Sequence, residues 1–318
     1  MNEAGLPGWP GPRLAPMHIR ILGAAAGGGF PQWNCNCPNC GGVRREELNA
    51  RPRTQSSIAI RGADETAWTL VNASPDILAQ LQANPQLQPG RAYRDTGIRN
   101  IVLTDSQIDH TTGLLMLREA TRPWPLWCTD SAFDDLTTDN PILQVLRRYC
   151  GVDRRRIDMT GEWFAVEGSD DLRWQAIALP GKPPPYSSRS PQTGDVIGLL
   201  VEDLRTDRRL CYAPGVADID SALFELMRGS QCVLVDGTFW TDDELVRLGV
   251  SHKRAADMGH LSQTGGMIQW LDRLPASTRR VLIHINNTNP ILVEDSAERA
   301  LLSSHDIEVA YDGMEIVL

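Results

Sequence analysis

The sequence predicts an α/β fold, an αββα sandwich of two mixed β-sheets flanked by helices. Three observations predict it. Short runs rich in Val, Ile, Leu and Trp, punctuated by Gly, Pro and Asp, alternate with helical patterns along all 318 residues. Residues 1–100 are mainly strand, and strand–helix alternation dominates towards the C-terminus. Runs 57–61 and 67–72 read as a hairpin, which favours mixed sheets over a doubly wound parallel one.

In chain order, strands are predicted at 18–23 (HIRILG), 57–61, 67–72 (AWTLVN), 98–104 (IRNIVLT), 126–129 and 163–167. They continue at 174–179 (WQAIAL), 197–202 (IGLLVE), 210–213, 232–236 (CVLVD), 280–285 (RVLIHI), 307–311 and 314–318. Apolar residues at spacings of three and four predict helices at 75–83, 110–121, 141–150, 221–228, 242–248, 262–274 and 296–304. Residues 1–16 (MNEAGLPGWPGPRLAP) read as a flexible leader without the apolar core of a signal peptide, and Met17 offers an alternative start. Residues 17–318 then read as a single domain, with the cytoplasm as default compartment. Pro180 to Pro191 reads as a shaped surface loop.

With 42% hydrophobic and 22% charged residues, the composition is that of a globular chain. Lys plus Arg is 31 against 40 Asp plus Glu, a net charge of −9, and there is no basic stripe. That argues against a nucleic-acid or anionic-membrane partner. No apolar run reaches the roughly 18 residues of a membrane span. The seven cysteines are odd in number, which argues against a disulfide framework.

Four motifs carry chemistry. Cys35, Cys37 and Cys40 lie in CNCPNC, where Asn and Pro favour a turn that aims all three thiols inward. A structural zinc fits, with its fourth ligand elsewhere in the fold, and free or redox-active thiols are the alternative. The loop Gly23 to Gly29 lacks both the Rossmann and the P-loop pattern, so it reads as a tight loop between strands, with backbone approach to a phosphate or cofactor as the alternative. In IVLTDSQIDHTTGLL a strand ends at Thr104 and a helix begins near His110. Asp109 and His110 at that turn make half of a metal site; Asp109 as an N-cap beside a solvated histidine is the alternative. His284, His260 and Asp236 each stand at a junction between an element and a polar loop, where function collects in layered α/β folds.

The runs LGAAAGGGFPQWNCNCPNC, LTDSQIDHTTGLL, VLVDGTFWTDDEL, DMGHLSQTGG and LIHINNTNPIL together resemble the B-protein family of pyrroloquinoline quinone (PQQ) biosynthesis, in the metallo-β-lactamase superfamily. The resemblance spans nearly the whole chain from Met17 and implies the αββα sandwich. It places the leading histidines of the superfamily motif His-x-His-x-Asp-His on Asp105 and Gln107, and keeps Asp109 and His110. The next superfamily histidine falls near Lys182, the bridging aspartate near Gly215, and the last histidine on His284. One metal pocket has thus lost its imidazoles. The other retains Asp109, His110 and His284, a two-histidine, one-carboxylate set like that of non-haem iron oxygenases.

The resemblance therefore implies Fe(II) held by Asp109, His110 and His284, structural zinc at the cysteines, and O2 as co-substrate. The implied reaction is hydroxylation of the tyrosine ring in a cross-linked Glu-Tyr precursor of PQQ. His260 is implied in proton transfer or substrate contact, or as a fourth ligand, with Asp236 orienting it or a ligand histidine. Ser106 and Gln107, where ligands are lost, are expected to bind substrate or water, and Lys182, Tyr186 and Arg189 to grip the precursor's carboxylates. A carrier or exporter of PQQ and a metallohydrolase with an atypical site are the alternatives. The expected partner is the small-molecule precursor, with other PQQ biosynthesis proteins and a homodimer left open.

Overall fold

The computed structural model describes residues 16–63 and 66–318. The leader expected at 1–16 therefore lies, Pro16 apart, outside the described residues. The strands in chain order are β1 His18–Gly23, β2 Ser57–Arg61, β3 Trp68–Val71, β4 Ile98–Val102, β5 Trp124–Cys128, β6 Val152–Arg156 and β7 Trp163–Phe164. They continue as β8 Leu172–Ala178, β9 Ile197–Asp203, β10 Arg209–Ala213, β11 Cys232–Asp236, β12 Arg279–Ile283, β13 Ile307–Val309 and β14 Glu315–Val317. They form two sheets, ordered β14-β1-β2-β3-β4-β5-β6 and β13-β12-β11-β10-β9-β8-β7. Each sheet is half antiparallel and half parallel. The hairpin β2–β3 is antiparallel, whereas β3 through β6 and β10 through β13 run parallel.

Alternation of side chains sorts residues between layers. Ile19, Ile21, Ile58, Ile60, Leu199, Val201, Trp174 and Tyr212 meet in the central layer between the sheets. Leu22, Ala59 and Leu70, on the opposite faces, pack under the helices outside the first sheet. Leu200, Val233 and Leu282 do the same under Ser221–Arg228 and Ile268–Asp272 on the second. Each aliphatic side chain so buried contributes about 1.5–3 kcal/mol, so strands covered on both faces are the frame on which the loops are held. Among the described residues no helix is long and apolar enough to cross a membrane.

Four elements differ from expectation. The helix expected at 110–121 is two short pieces, Ile108–Thr111 and Gly113–Met116. At the break, Gly113 packs against backbone: a Cβ there would stand 2.1 Å from the Ser74 carbonyl oxygen. The cysteine turn continues into a helix, Pro38–Arg44, with Cys37 as its N-cap. The edge strand β6 and the helix Asp130–Thr137 were not predicted, since VDRRR carries no apolar alternation.

Candidate metal centre

Parallel strands place their C-terminal ends on one side, and the loops there converge. The loop after β4 carries Asp105 to His110, the end of β11 carries Asp236, and the residue after β12 is His284. The first loop is pinned at its root, where the Thr104 amide donates to Asn72 Oδ1 at 3.0 Å. His284 itself has φ of +60°, a left-handed backbone rare for histidine, which turns its ring back over the strand end.

Ligand atoms of Asp109, His110 and His284 lie within 4.8 Å of one another. Asp109 Oδ2 is 3.4 Å from His284 Nε2 and 3.8 Å from His110 Nε2. Two N/O ligands at ordinary zinc distances on a tetrahedral ion lie about 3.3 Å apart, so a small ion fits between these atoms. Asp109 and His110 converge although both lie in one helical turn, Ile108–Thr111, because their tips, not their Cβ atoms, meet.

The second nitrogen of each ring is held from behind. His110 Nδ1 is 2.8 Å from both Asp105 oxygens, which leaves Nε2 buried and without a hydrogen-bond partner. Thr238 Oγ1 donates to the His284 carbonyl at 2.9 Å, and it lies 3.0 Å from His284 Nδ1. A hydroxyl has one proton, so His284 Nδ1 is the donor to Thr238 and its Nε2 keeps a free lone pair. An orphaned buried imidazole nitrogen beside a carboxylate and a second correctly tautomerised imidazole is a donor set that suits a divalent metal.

Charge agrees with this geometry. Burial opposes a charge on His110, but the Asp105 and Asp109 carboxylates outweigh it and lift the ring to about 9. Burial likewise opposes ionisation of Asp109, yet His110 and His284 hold it well below the usual carboxylate range. A cation in this position would take over what protons otherwise do.

Beside the cluster, Asp236 Oδ2 is 2.7 Å from His260 Nδ1 and also accepts from the Val216 amide at 2.9 Å. Burial works against protonation of His260, and Asp236 raises it above the ordinary histidine value. The His260 ring stacks on His284 at 5.5 Å, and ligand atoms of Asp236, His260 and His284 form a second group within 4.8 Å. A Cβ on Gly215, where the superfamily's bridging aspartate aligns, would lie 3.8 Å from His260 Cε1, so that position does border the site. The glycine-rich loop walls it on another side: a Cβ on Gly27 would come 3.3 Å from Asp109 Oδ2.

The expected substrate contacts fare differently. Ser106 Oγ donates to Asp135 Oδ2 at 2.6 Å, and Arg189 donates from Nε and Nη2 to Asp135 at 2.8 and 2.7 Å and from Nη1 to Asp195 at 3.0 Å. The Tyr186 hydroxyl donates to the Ser106 carbonyl. The Ser106, Tyr186 and Arg189 side chains thus brace the 180–191 loop against the loop that carries Asp109 and His110. Lys182 is exposed, and Gln107 stands at the N-cap position of the Ile108–Thr111 turn, its backbone N–H donating to Asp105 Oδ1 at 2.9 Å.

Cys35, Cys37 and Cys40 form a second cluster, with ligand atoms within 4.8 Å of one another. Burial chiefly pushes Cys37 up to about 12, whereas hydrogen bonds from its neighbours outweigh burial at Cys35 and lower it. Sequence reasoning missed the roles of Asp105, Thr238 and Asp135. Asp105 and Thr238 lie within the quoted runs LTDSQIDH and VLVDGTFW, but nothing in a sequence shows which carboxylate or hydroxyl stands behind a ligand.

A four-layer αββα sandwich with metal ligands on the strand-end loops is the metallo-β-lactamase fold, and residues 67–285 match the β-lactamase superfamily domain. Within that superfamily, the chain belongs to the coenzyme PQQ synthesis protein B family. It is 58% identical over 306 residues to the coenzyme PQQ synthesis protein B of Azoarcus sp. (strain BH72), covering 95% of this chain and 100% of that one. It is 55% identical over 307 residues to that of Methylobacillus flagellatus, with the same coverage. Its structure matches the crystal structure of Zn(2+)-bound PqqB from Methylobacterium extorquens with a TM-score of 0.85 and 38% identity, covering 95% of this chain and 100% of that one.

Proposed function

We propose that this chain acts in PQQ biosynthesis in the cytoplasm as an iron- and O2-dependent hydroxylase of the tyrosine ring in the cross-linked Glu-Tyr precursor. The observation that carries the reading is the asymmetry of the site. Asp109, His110 and His284 present one set of ligand atoms within 4.8 Å of one another, and Asp236 and His260 share His284 in a second. The positions of the superfamily's other pocket are Asp105, which is turned onto His110, and Gln107. A paired-ion hydrolase needs both pockets to generate hydroxide and clamp a scissile group. A two-histidine, one-carboxylate face leaves open positions, and Fe(II) there supplies oxygen activation.

The chain's own residues do the rest. Asp109 brings the single negative charge, and Asp105 and Thr238 fix the two ring orientations. His260, with Nδ1 held by Asp236, has Nε2 left to accept the phenol proton as the ring becomes electron-rich. The net reaction puts one oxygen atom of O2 into a ring C–H bond and releases the other as water, with two electrons from an added reductant. The names of the relatives, and the zinc bound to the Methylobacterium protein, support a metal-dependent role in this pathway.

The test is incubation of anaerobically purified, Fe(II)-loaded protein with the cross-linked dipeptide, ascorbate and 18O2. The expected product gains one labelled oxygen per hydroxylation. Unchanged dipeptide alongside tight PQQ binding would overturn the reading in favour of a carrier. Hydrolysis by two-zinc protein would overturn it in favour of a hydrolase.

A further inference from the structure

Glu244 opens the short helix Glu244–Arg247 and is 4% exposed. Among the described residues no cation pairs with it, and Arg247 turns to Asp243 at 3.1 Å instead. Burial raises Glu244 above the ordinary glutamate value. A carboxyl group in such a place costs stability unless its oxygens are satisfied. Both are, by two different loops. Oε2 accepts from the Trp240 backbone N–H at 2.7 Å, on the loop after β11, and Oε1 accepts from the Thr288 hydroxyl, on the loop after β12.

Those two loops carry the groups around the metal centre. Thr238 stands two residues before Trp240, and His284 four residues before Thr288. The Thr238 carbonyl accepts from the Asn286 backbone N–H at 3.1 Å and from Asn289 Nδ2 at 3.2 Å. Asn286 Nδ2 donates in turn to Thr288 Oγ1 at 2.6 Å. Glu244 thus closes a ring that runs from Trp240 through Thr238, Asn286 and Thr288. The ring holds the main chain of Thr238, whose hydroxyl faces His284 Nδ1 at 3.0 Å. We propose that Glu244 is a positioning residue for the metal centre: by clamping Trp240 to Thr288 it holds the Thr238 hydroxyl against His284, and so keeps His284 Nε2 free for the ion. The proposal rests on the candidate centre and not on the reaction run there.

An ionised carboxylate suits the task because it only accepts. The Thr288 hydroxyl has one proton to give, and its oxygen already takes Asn286 Nδ2. In E244Q an amide nitrogen must face either the Trp240 N–H or that occupied hydroxyl, so one side of the clamp opens. The test is calorimetric titration of the full-length protein with Mn(II), an ion that favours carboxylate donors over thiolates. E244Q should lower affinity at the Asp109–His110–His284 site about tenfold. T238V already releases His284, so adding E244Q to it should cost less than about a further twofold. A purely structural loss would add in both backgrounds. Nitrogen-15 spectra of metal-free E244Q should show His284 gaining the Nε2–H tautomer. T288V, which removes the other jaw of the clamp, should behave as E244Q does, and T288S as the wild type. Unchanged affinity in E244Q and T288V overturns the proposal. So does a loss that persists undiminished in the T238V background, or one that leaves the His284 tautomer unaltered. T288V decides the matter where E244Q fails to fold.

Discussion

The Asp105 carboxylate stands 2.8 Å from Nδ1 of His110, on a position where the superfamily motif carries a histidine. One residue therefore stands where that motif has an imidazole and orients the His110 ring of the candidate metal centre. D105A should lower metal affinity at the Asp109–His110–His284 site by about 10- to 100-fold, the usual cost of losing such a brace. Metal titration with isothermal calorimetry measures this, and zinc at the cysteines should be retained in full.

The two metal sites should separate in their failures. H110A removes an imidazole whose Nε2 has no hydrogen-bond partner, so under the proposed function turnover should vanish while zinc at the cysteines is retained. C37S should do the reverse first. It removes the N-cap of Pro38–Arg44 and one of the three clustered thiols, so with zinc held there the melting temperature should drop and lose its sensitivity to chelator. Calorimetric melts with and without EDTA distinguish the two variants.

The 180–191 loop should depend on one buried ion pair. Asp135 is fully buried, and the Arg189 guanidinium that meets it is 19% exposed. R189M leaves that carboxylate with only the hydroxyls of Ser106 and Ser187, and should cost about 3 kcal/mol of stability. Burial opposes the charge on Asp135, but Arg189, Ser106 and Ser187 outweigh it and lower its value. A lowered folded value stabilises above the unfolded carboxylate value of about 3.9 and is lost as pH falls through the folded one. The wild type should therefore lose stability steeply below about pH 4. D135N should be less stable at neutral pH and flatter in that acid range, as denaturant melts across pH would record.

Much of this fold is legible in the chain because its strands are buried on both faces. Continuous apolar runs such as CVLVD and IGLLVE can be little else in a chain with helices between them, and β11 is predicted at the bounds it has. The edge strand β6 escapes because VDRRR pairs along one side only and needs no apolar face. Asp109, His110 and His284 are legible as residues at strand ends, a matter of position along the chain. What stands behind them is not: Asp105 and Thr238 act through side-chain direction, and Glu244 meets Thr288 across 44 residues of sequence. Arg189 shows the opposite error, since a free-looking cation in a polar loop is already paired with Asp135 and Asp195.

Thr238 should be the most informative single change at the centre. Its hydroxyl gives its only proton to the His284 carbonyl and receives Nδ1–H from His284, with His260 Nδ1 at 3.1 Å. T238V keeps the shape and removes that acceptor. His260 retains Asp236 as a partner, but His284 Nδ1 is left with no acceptor in a buried setting. The ring is then free to carry its proton on Nε2, facing Asp109, which closes the lone pair a metal needs. Metal affinity should fall by about 10- to 100-fold. Nitrogen-15 spectra of the metal-free protein should show His284 changing tautomer and His260 unchanged. An unaltered His284 tautomer in T238V would mean that Asp109, not Thr238, sets which nitrogen is free.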